Sequence, residues 1–223
     1  MTRVLAVVSV AAMTAAFSLL GRPIARADPD TCPPNCDRIP ASGWIDSAAI
    51  PLDARYAWPN LAPIAVFLQR PRFRFEQVCG SPPTAKKDPR NFAVAAKATV
   101  ATAPGQWQLQ AQVLHWRGES VYGGSLADEV LRSAATALRA CQVASLSITT
   151  DEPGRLAAVL SVAGPQPMVL HSYLVSHPQS GSVVELAMWA ASPPAENWPV
   201  IPDTQVLDAL LAPLCAAYIA SCR

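Results

Sequence analysis

Six cysteines and three histidines are the residues of this 223-residue chain best equipped for chemistry. Cys32, Cys36, Cys79, Cys141, Cys215 and Cys222 form an even set, which in an exported chain reads as three disulfides. Spacing alone leaves the pairing open. Cys215 and Cys222 stand seven apart in a predicted helix, roughly 10 Å along its axis. Cys222 is therefore expected to bond elsewhere or to lie past the helix end. Cys32 and Cys36, in C-P-P-N-C, either close a small loop or pin the N-terminal segment to the core. Zinc is the rival use of such cysteines. The one local pair has C-x3-C spacing and the first histidine in the chain is His115, so no metal is expected. No C-x-x-C motif supports thiol–disulfide catalysis.

His115 falls on the same side of a predicted strand as Trp107, Leu109, Ala111 and Val113. It either lines a ligand pocket or is a partly buried core histidine. His171 stands two residues before Tyr173, so the two share a strand face. His177 precedes Pro178 and is expected in a solvated turn. The chain has no G-x-S-x-G elbow, H-E-x-x-H, P-loop or dinucleotide fingerprint. The acid pairs Asp128–Glu129 and Asp151–Glu152 fall at a helix start, where acids favour the dipole, and in a turn. No catalytic residue and no cofactor is assigned.

Two surface features carry the binding expectations. Arg70 to Arg90 holds six basic residues against Glu76 and Asp88. Arg72, Arg74, Lys86, Lys87 and Arg90 form a candidate patch for an acidic partner, anionic lipid or cell-wall phosphate. The same charges would equally protect an edge strand and loop. Trp116 to Gly124 combines aromatic residues with three glycines between a strand end and a helix start, a setting that often carries sites. His115, Trp116, Tyr122, His171 and Tyr173 are the candidate ligand groove.

These residues need a scaffold, and the chain supplies one after a leader. Met1 to Ala27 has Arg3 in a short n-region, an apolar run from Val4 to Leu20 and an A-x-A site at Ala25–Ala27. It reads as a secretory signal peptide. No other run reaches the ~18 apolar residues of a membrane span. The 17 basic residues include Arg3, Arg22 and Arg26 of the leader. Without them 14 face 16 acidic residues, and the formal charge changes from +1 to −2. Such a chain offers no basic field for nucleic acid. At 51% hydrophobic and 15% charged it is not disordered.

Residues 28–71 form a Pro-rich arm whose Trp44, Tyr56 and Trp58 argue for order over a core. Leu61, Ile64, Ala65 and Leu68 predict a short helix there. Residues 72–223 read as one domain. Phe73 and Phe75 alternate with arginines and predict a strand, followed by strands over 92–102 and 106–113. In the last, Trp107 to Val113 give an apolar face, and Gln106, Gln108, Gln110 and Gln112 a polar one. Ser125 and Asp128 form an S-x-x-D box before a helix ending near Cys141. Four short strands fit between Ser145 and Ala190. The last helix starts near Asp203 and contains Pro213, which is expected to kink or interrupt it. Helices are too few for crossovers between parallel strands. The expectation is α+β, with a mainly antiparallel sheet of about six or seven strands covered by two or three helices and braced by disulfides.

The stretch Gln110-Ala-Gln-Val-Leu-His-Trp116, a loop, and a helix ending Leu138-Arg-Ala-Cys141 resembles the PknH-type extracellular sensor domains of mycobacteria. Cys79 near the first strand and Cys215 in the last helix match that pattern too. The resemblance covers Phe73 to Cys222 in order of elements. It implies a disulfide-braced α+β sensor fold with a ligand cleft and no catalysis. The chain lacks the family's kinase and lipobox, and Cys32 and Cys36 have no clear counterpart. In order of elements it is also similar to the PsbP-like fold. The leading expectation is a secreted, periplasmic or cell-wall-associated, non-catalytic binding or sensor-like domain of an actinobacterial envelope. Its partner would be an unidentified envelope ligand or protein. The alternatives are an envelope hydrolase with an unrecognised site and a structural or secretion-accessory protein.

Overall fold

Strands with alternating or continuous apolar side chains occupy the middle of the chain and join into one sheet. The computed structural model describes residues 31–32, 36–219 and 221–222. The expected leader, Met1 to Ala27, lies outside the described residues. Seven strands, β1 (Val66–Leu68), β2 (Val94–Val100), β3 (Gln108–His115), β4 (Ala144–Glu152), β5 (Arg155–Val162), β6 (Met168–His177) and β7 (Ser182–Ala191), lie in the order β1-β2-β3-β7-β6-β5-β4. Every neighbouring pair is antiparallel. The fold is α+β, as expected. No helix among the described residues is long and apolar enough to cross a membrane.

Two meanders meet at the central β3–β7 pair, so the chain must travel from the middle of the sheet to its β4 edge. Helix α3 (Ser120–Arg139) makes that journey. Its 20 residues span about 30 Å, enough to cross strands about 4.8 Å apart. It buries Ala127, Val130, Leu131, Ala134, Ala135 and Leu138 at helical spacing against Leu156, Leu160, Leu170 and Leu174. Helix α4 (Asp203–Ala217) covers the opposite face with Val206, Leu207, Leu210 and Leu214, and runs through Pro213 to Ala217. The arm shares that second core. Trp44, Ile45, Ile50, Trp58 and Leu61 are buried with α4, and a one-turn helix, α1 (Asp53–Tyr56), places Tyr56 so that its ring stacks on Trp58 at 4.7 Å.

Several expected elements differ. The helix expected over Leu61–Leu68 is a single 3-10 turn, Ala62–Ile64, and then β1. The strand expected from Phe73 is a short helix, α2 (Arg74–Val78). Glu76 reaches back to accept the Phe73 N–H at 2.8 Å, a local cap that the alternation of Phe73 and Phe75 concealed. Both phenylalanines point into the core shared with α3. That packing also seals the glutamine face of β3. Gln110 and Gln112 are buried rather than solvated, because a sheet covered on both sides has no wet face. The capping box at Ser125 and Asp128 is not used. α3 starts five residues earlier, Ser125 Oγ donates to the Tyr122 carbonyl, and Asp128 accepts from Ser176 Oγ at 2.7 Å.

The cysteines pair locally and across helices: Cys32–Cys36, Cys79–Cys141 and Cys215–Cys222. Cys79–Cys141 ties the end of α2 to the end of α3 across 62 residues, worth about 4 kcal/mol by loop-closure entropy. Cys222 lies past the end of α4, where the chain turns back to reach Cys215.

A carboxyl group sits inside the α3-side core. Glu185 of β7 is fully buried, accepts the Arg74 N–H at 2.5 Å and accepts from Gln110 Nε2 at 3.0 Å. The Gln112 amide and Ser172 hydroxyl lie on the same sheet face without a protein partner among the described residues. Burial pushes the Glu185 pKa up to about 8, helped by Glu76 and opposed by both hydrogen bonds and Arg74. A carboxyl raised in the folded state stabilises fully below its unfolded value and loses that contribution as pH rises through the folded one. The window here runs from about pH 4.5 to about pH 8. Glu185→Gln keeps both hydrogen bonds once the Gln110 amide flips. Denaturant unfolding between pH 5 and pH 8.5 is expected to show the wild type losing about 2–4 kcal/mol relative to Glu185→Gln. Parallel stability curves would contradict the assignment.

Candidate functional site

The end of β3 and the basic segment meet at one place. Trp116 follows β3, and its N–H donates to the Gly181 carbonyl at 2.8 Å. Its indole Nε1 donates to the Pro89 carbonyl at 3.0 Å, and its ring is buried. Pro89 is held in turn by Arg90. That guanidinium binds both Glu76 oxygens at 2.9 and 2.8 Å and both Asp88 oxygens at 2.9 and 2.8 Å. Burial works against the Arg90 cation, but the Asp88 and Glu76 carboxylates outweigh it and raise its pKa above the usual arginine value. Asp88 also caps the 3-10 turn Pro89–Phe92 by accepting the Arg90 N–H.

The third wall comes from the first turn of α3. Only residues 116–119 of the expected glycine-rich loop lie outside the helix. Gly123 and Gly124 are helical because α3 begins pressed against the turn Pro178–Gly181. A Cβ on Gly124 would stand 2.6 Å from the Pro178 carbonyl oxygen, and one on Gly123 3.3 Å from the Gly181 Cα. This contact fixes Tyr122 beside the Trp116 side of the cleft.

A cleft of about 330 Å³ results, walled by Phe92, Trp116, Tyr122 and Leu126 and rimmed by Lys87 and Arg117. That is within the size range of small-molecule sites. Phe92 is 66% exposed and Tyr122 64%, large values for aromatic residues. Lys87 and Arg117 form no hydrogen bond or ion pair with any described residue. Two unneutralised cations beside three aromatic rings can hold an anion whose remainder is apolar or ring-shaped. A second cavity, about 290 Å³ between α3 and the β4–β5 turn, is lined by charges of both signs, Asp128, Asp151 and Glu152 with Arg132 and Arg155, and most of them are engaged within the protein. Asp151 pairs with Arg139, Arg155 with Asp208, and Asp128 with Ser176.

The residues expected to share a groove are thus divided among three places. Trp116 and Tyr122 line the cleft. His115 is on the opposite sheet face, 1% exposed, with Nδ1 3.2 Å from Ser182 Oγ and its ring stacked on Tyr218 at 4.1 Å. His171 and Tyr173 are farther along that face. His171 stacks on Trp198 at 3.7 Å and meets the edge of Trp107 at 5.5 Å. Burial lowers its pKa to about 4, against a weaker pull from Asp203, so it is neutral at physiological pH. Burial and then Asp203 push the Tyr173 hydroxyl well above its usual value. His171 and Tyr173 are core groups.

The candidate basic patch is divided as well. Arg90 is sealed in its ion-pair network. Arg72 Nη2 donates to the Ser81 and Glu76 carbonyls at 2.5 and 3.3 Å. The Arg74 guanidinium lies 4.0 Å over the Trp189 ring. Only Lys86 and Lys87 of the five are exposed. Phe92 and Arg117 complete the site without having been singled out in the sequence. Their signal is proximity: Phe92 stands two residues past the basic segment, and Arg117 lies inside the aromatic and glycine-rich stretch Trp116–Gly124. Comparison of the chain with protein-family models, with curated proteins and with solved structures finds no match in any of the three.

Because the Gly124–Pro178 approach is backbone on backbone, Gly124→Ala must displace the first turn of α3. The variant is expected to lose about 1–3 kcal/mol in denaturant unfolding, with faster amide exchange at residues 120–124. Wild-type stability and unchanged exchange would show that the close packing does not fix the cleft wall.

Proposed function

We propose that this chain is an exported, non-catalytic binding domain of the cell envelope, and that it takes an anionic ligand with an apolar or ring-shaped body. The observation that carries this reading is the cleft in which Lys87 and Arg117, neutralised by no described residue, face Phe92, Trp116 and Tyr122. The aromatic rings supply contact area at little entropic cost, and the cations supply charge complementarity and orientation. Export is supported by the leader pattern and by the three disulfides, which suit an oxidising compartment. A sensor-like role, as the resemblance to mycobacterial sensor domains implies, is the same chemistry used for detection.

The arrangement gives less support to hydrolysis. Neither His171 nor His177 hydrogen-bonds a carboxylate among the described residues. Ser182 Oγ, the hydroxyl next to His115, is buried and donates to the Ser180 carbonyl. A nucleophile needs access and a base oriented by a third group.

Phenyl phosphate is a minimal probe, joining one ring to one dianion. Isothermal titration is expected to show it binding more tightly than phenol or inorganic phosphate, with affinity falling as salt is added. Lys87→Ala and Arg117→Ala are each expected to weaken it about tenfold, a loss of about 1.4 kcal/mol, without altering the fold. Wild-type affinity in both variants, or release of phenol over the titration, would overturn the reading.

A further inference from the structure

His177, at the end of β6, and two cysteines near the C-terminus converge although they are far apart in sequence. His177 Nε2 lies 3.6 Å from Cys222 Sγ, and the ligand atoms of His177, Cys215 and Cys222 all lie within 4.8 Å of one another. Both cysteines are exposed and His177 is partly buried. In the structure the two sulfurs are bonded to each other, and a disulfide sulfur is no thiolate ligand. The neighbouring hydrogen bonds orient the imidazole. Ser180 Oγ donates to the His177 carbonyl and sits 2.8 Å from His177 Nδ1. In the tautomer that a metal on Nε2 requires, Nδ1 carries the imidazole proton and donates to Ser180 Oγ, while the hydroxyl donates to the His177 carbonyl. Nε2 then offers its lone pair beside Cys222 Sγ. Metal-binding histidines are commonly oriented by a hydrogen bond of this kind from the other ring nitrogen.

The distances suit a tetrahedral ion. With Zn–N of about 2.0–2.1 Å and Zn–S of about 2.3 Å, a nitrogen and a sulfur on one zinc lie about 3.6 Å apart, and two sulfurs about 3.8 Å apart. The His177–Cys222 separation is therefore already in place. Cys215 Sγ, within 4.8 Å of the imidazole nitrogen, must shift as breaking the bond lets the two sulfurs move apart. We propose that Cys215, Cys222 and His177 form a redox-gated metal site, closed as the disulfide and opened by a thiol reductant to bind zinc or a like divalent ion.

The chemistry balances with an external dithiol as reductant. Two thiol–disulfide exchanges break the Cys215–Cys222 bond, and the dithiol leaves as a cyclic disulfide after giving up two electrons and two protons to the cysteines. Metal binding then releases those two protons to solvent as the thiolates coordinate, and His177 enters neutral. Three protein ligands leave a fourth position for water. Cys222 lies beyond the end of α4, and buried Ser221 stays hydrogen-bonded to that helix end, so opening this bridge leaves the sheet and both large helices in place. The site does not depend on the ligand cleft.

Cobalt(II) is the probe, since thiolate coordination produces a near-ultraviolet sulfur-to-metal band. The chain carrying Cys32→Ser and Cys36→Ser is used, which removes the other short-range pair. After treatment with a dithiol and its removal under anaerobic conditions, one equivalent of cobalt is expected to raise the band, and zinc to abolish it. The untreated protein should show none. His177→Ala is expected to remove tight one-to-one binding. Ser180→Ala is expected to weaken it at least about tenfold while leaving both thiols titratable, as a positioning residue would. Circular dichroism should stay unchanged through reduction. The proposal is overturned by a band of equal strength in the oxidised protein, by no band in the reduced one, by binding indifferent to His177→Ala, or by loss of the folded signal on reduction.

Discussion

The cleft depends on the ion network of Arg90 with Glu76 and Asp88. One guanidinium, 9% exposed, joins the first turn of α2 to the turn that follows the basic loop. Such a network is costly to bury and holds only when every partner is satisfied. Here four hydrogen bonds satisfy it, and the Phe73 ring lies 5.3 Å away on the guanidinium's face. The result is a fixed Pro89 carbonyl, on which the Trp116 indole is anchored. Lys87, two residues before Pro89, therefore reaches the cleft rim from a rigid base. An Arg here is not interchangeable with Lys, because only the planar fork reaches both carboxylates at once.

The second constraint is the path of the chain over the sheet. β3 and β7 pair at the centre, and each belongs to a different meander, so the connection after β3 must cross to the far edge. α3 does this by starting against the Pro178–Gly181 turn that joins β6 to β7. The same crossing that completes the fold brings Tyr122 beside Trp116. Cleft-facing groups thus come from two connections, β1–β2 and β3–β4, at one end of the sheet, while the strands hold the connections still. The edges are kept short or irregular. β1 has three residues, and β4 shifts register between Ile148 and Thr150, which discourages pairing with other chains.

How much of this was legible in the sequence varies with the physics behind each signal. Strands β2, β3, β5, β6 and β7 and helix α4 follow from periodicity, because a buried face imposes its period on the side chains. Two readings failed for different reasons. Phe73–Val78 alternates like a strand, yet the local bond from Phe73 N–H to Glu76 caps it as a helix. Gln110 and Gln112 look solvent-facing, yet both are buried under α2 and α3, and Gln110 meets Glu185, a long-range partner that no spacing reveals. The glycine pair 123–124 was legible as special but not as helical, since the reason for it is a tertiary approach to Pro178. In the candidate site, Trp116, Tyr122 and Lys87 stood out by type. The engagement of Arg72, Arg74 and Arg90 within the protein did not, because arginines in a sequence show their charge and not their partners.

The central claim is that ligand recognition belongs to the cleft between the basic turn and the start of α3. Chemical-shift mapping of the isotope-labelled protein with phenyl phosphate tests it most directly. The account predicts the largest shifts at the amides of Lys87, Phe92, Arg117 and Tyr122 and at the Trp116 indole, with little change at Asp151–Arg155 or around His171. Largest shifts in either of those two places, or a uniform response over the surface, would contradict it.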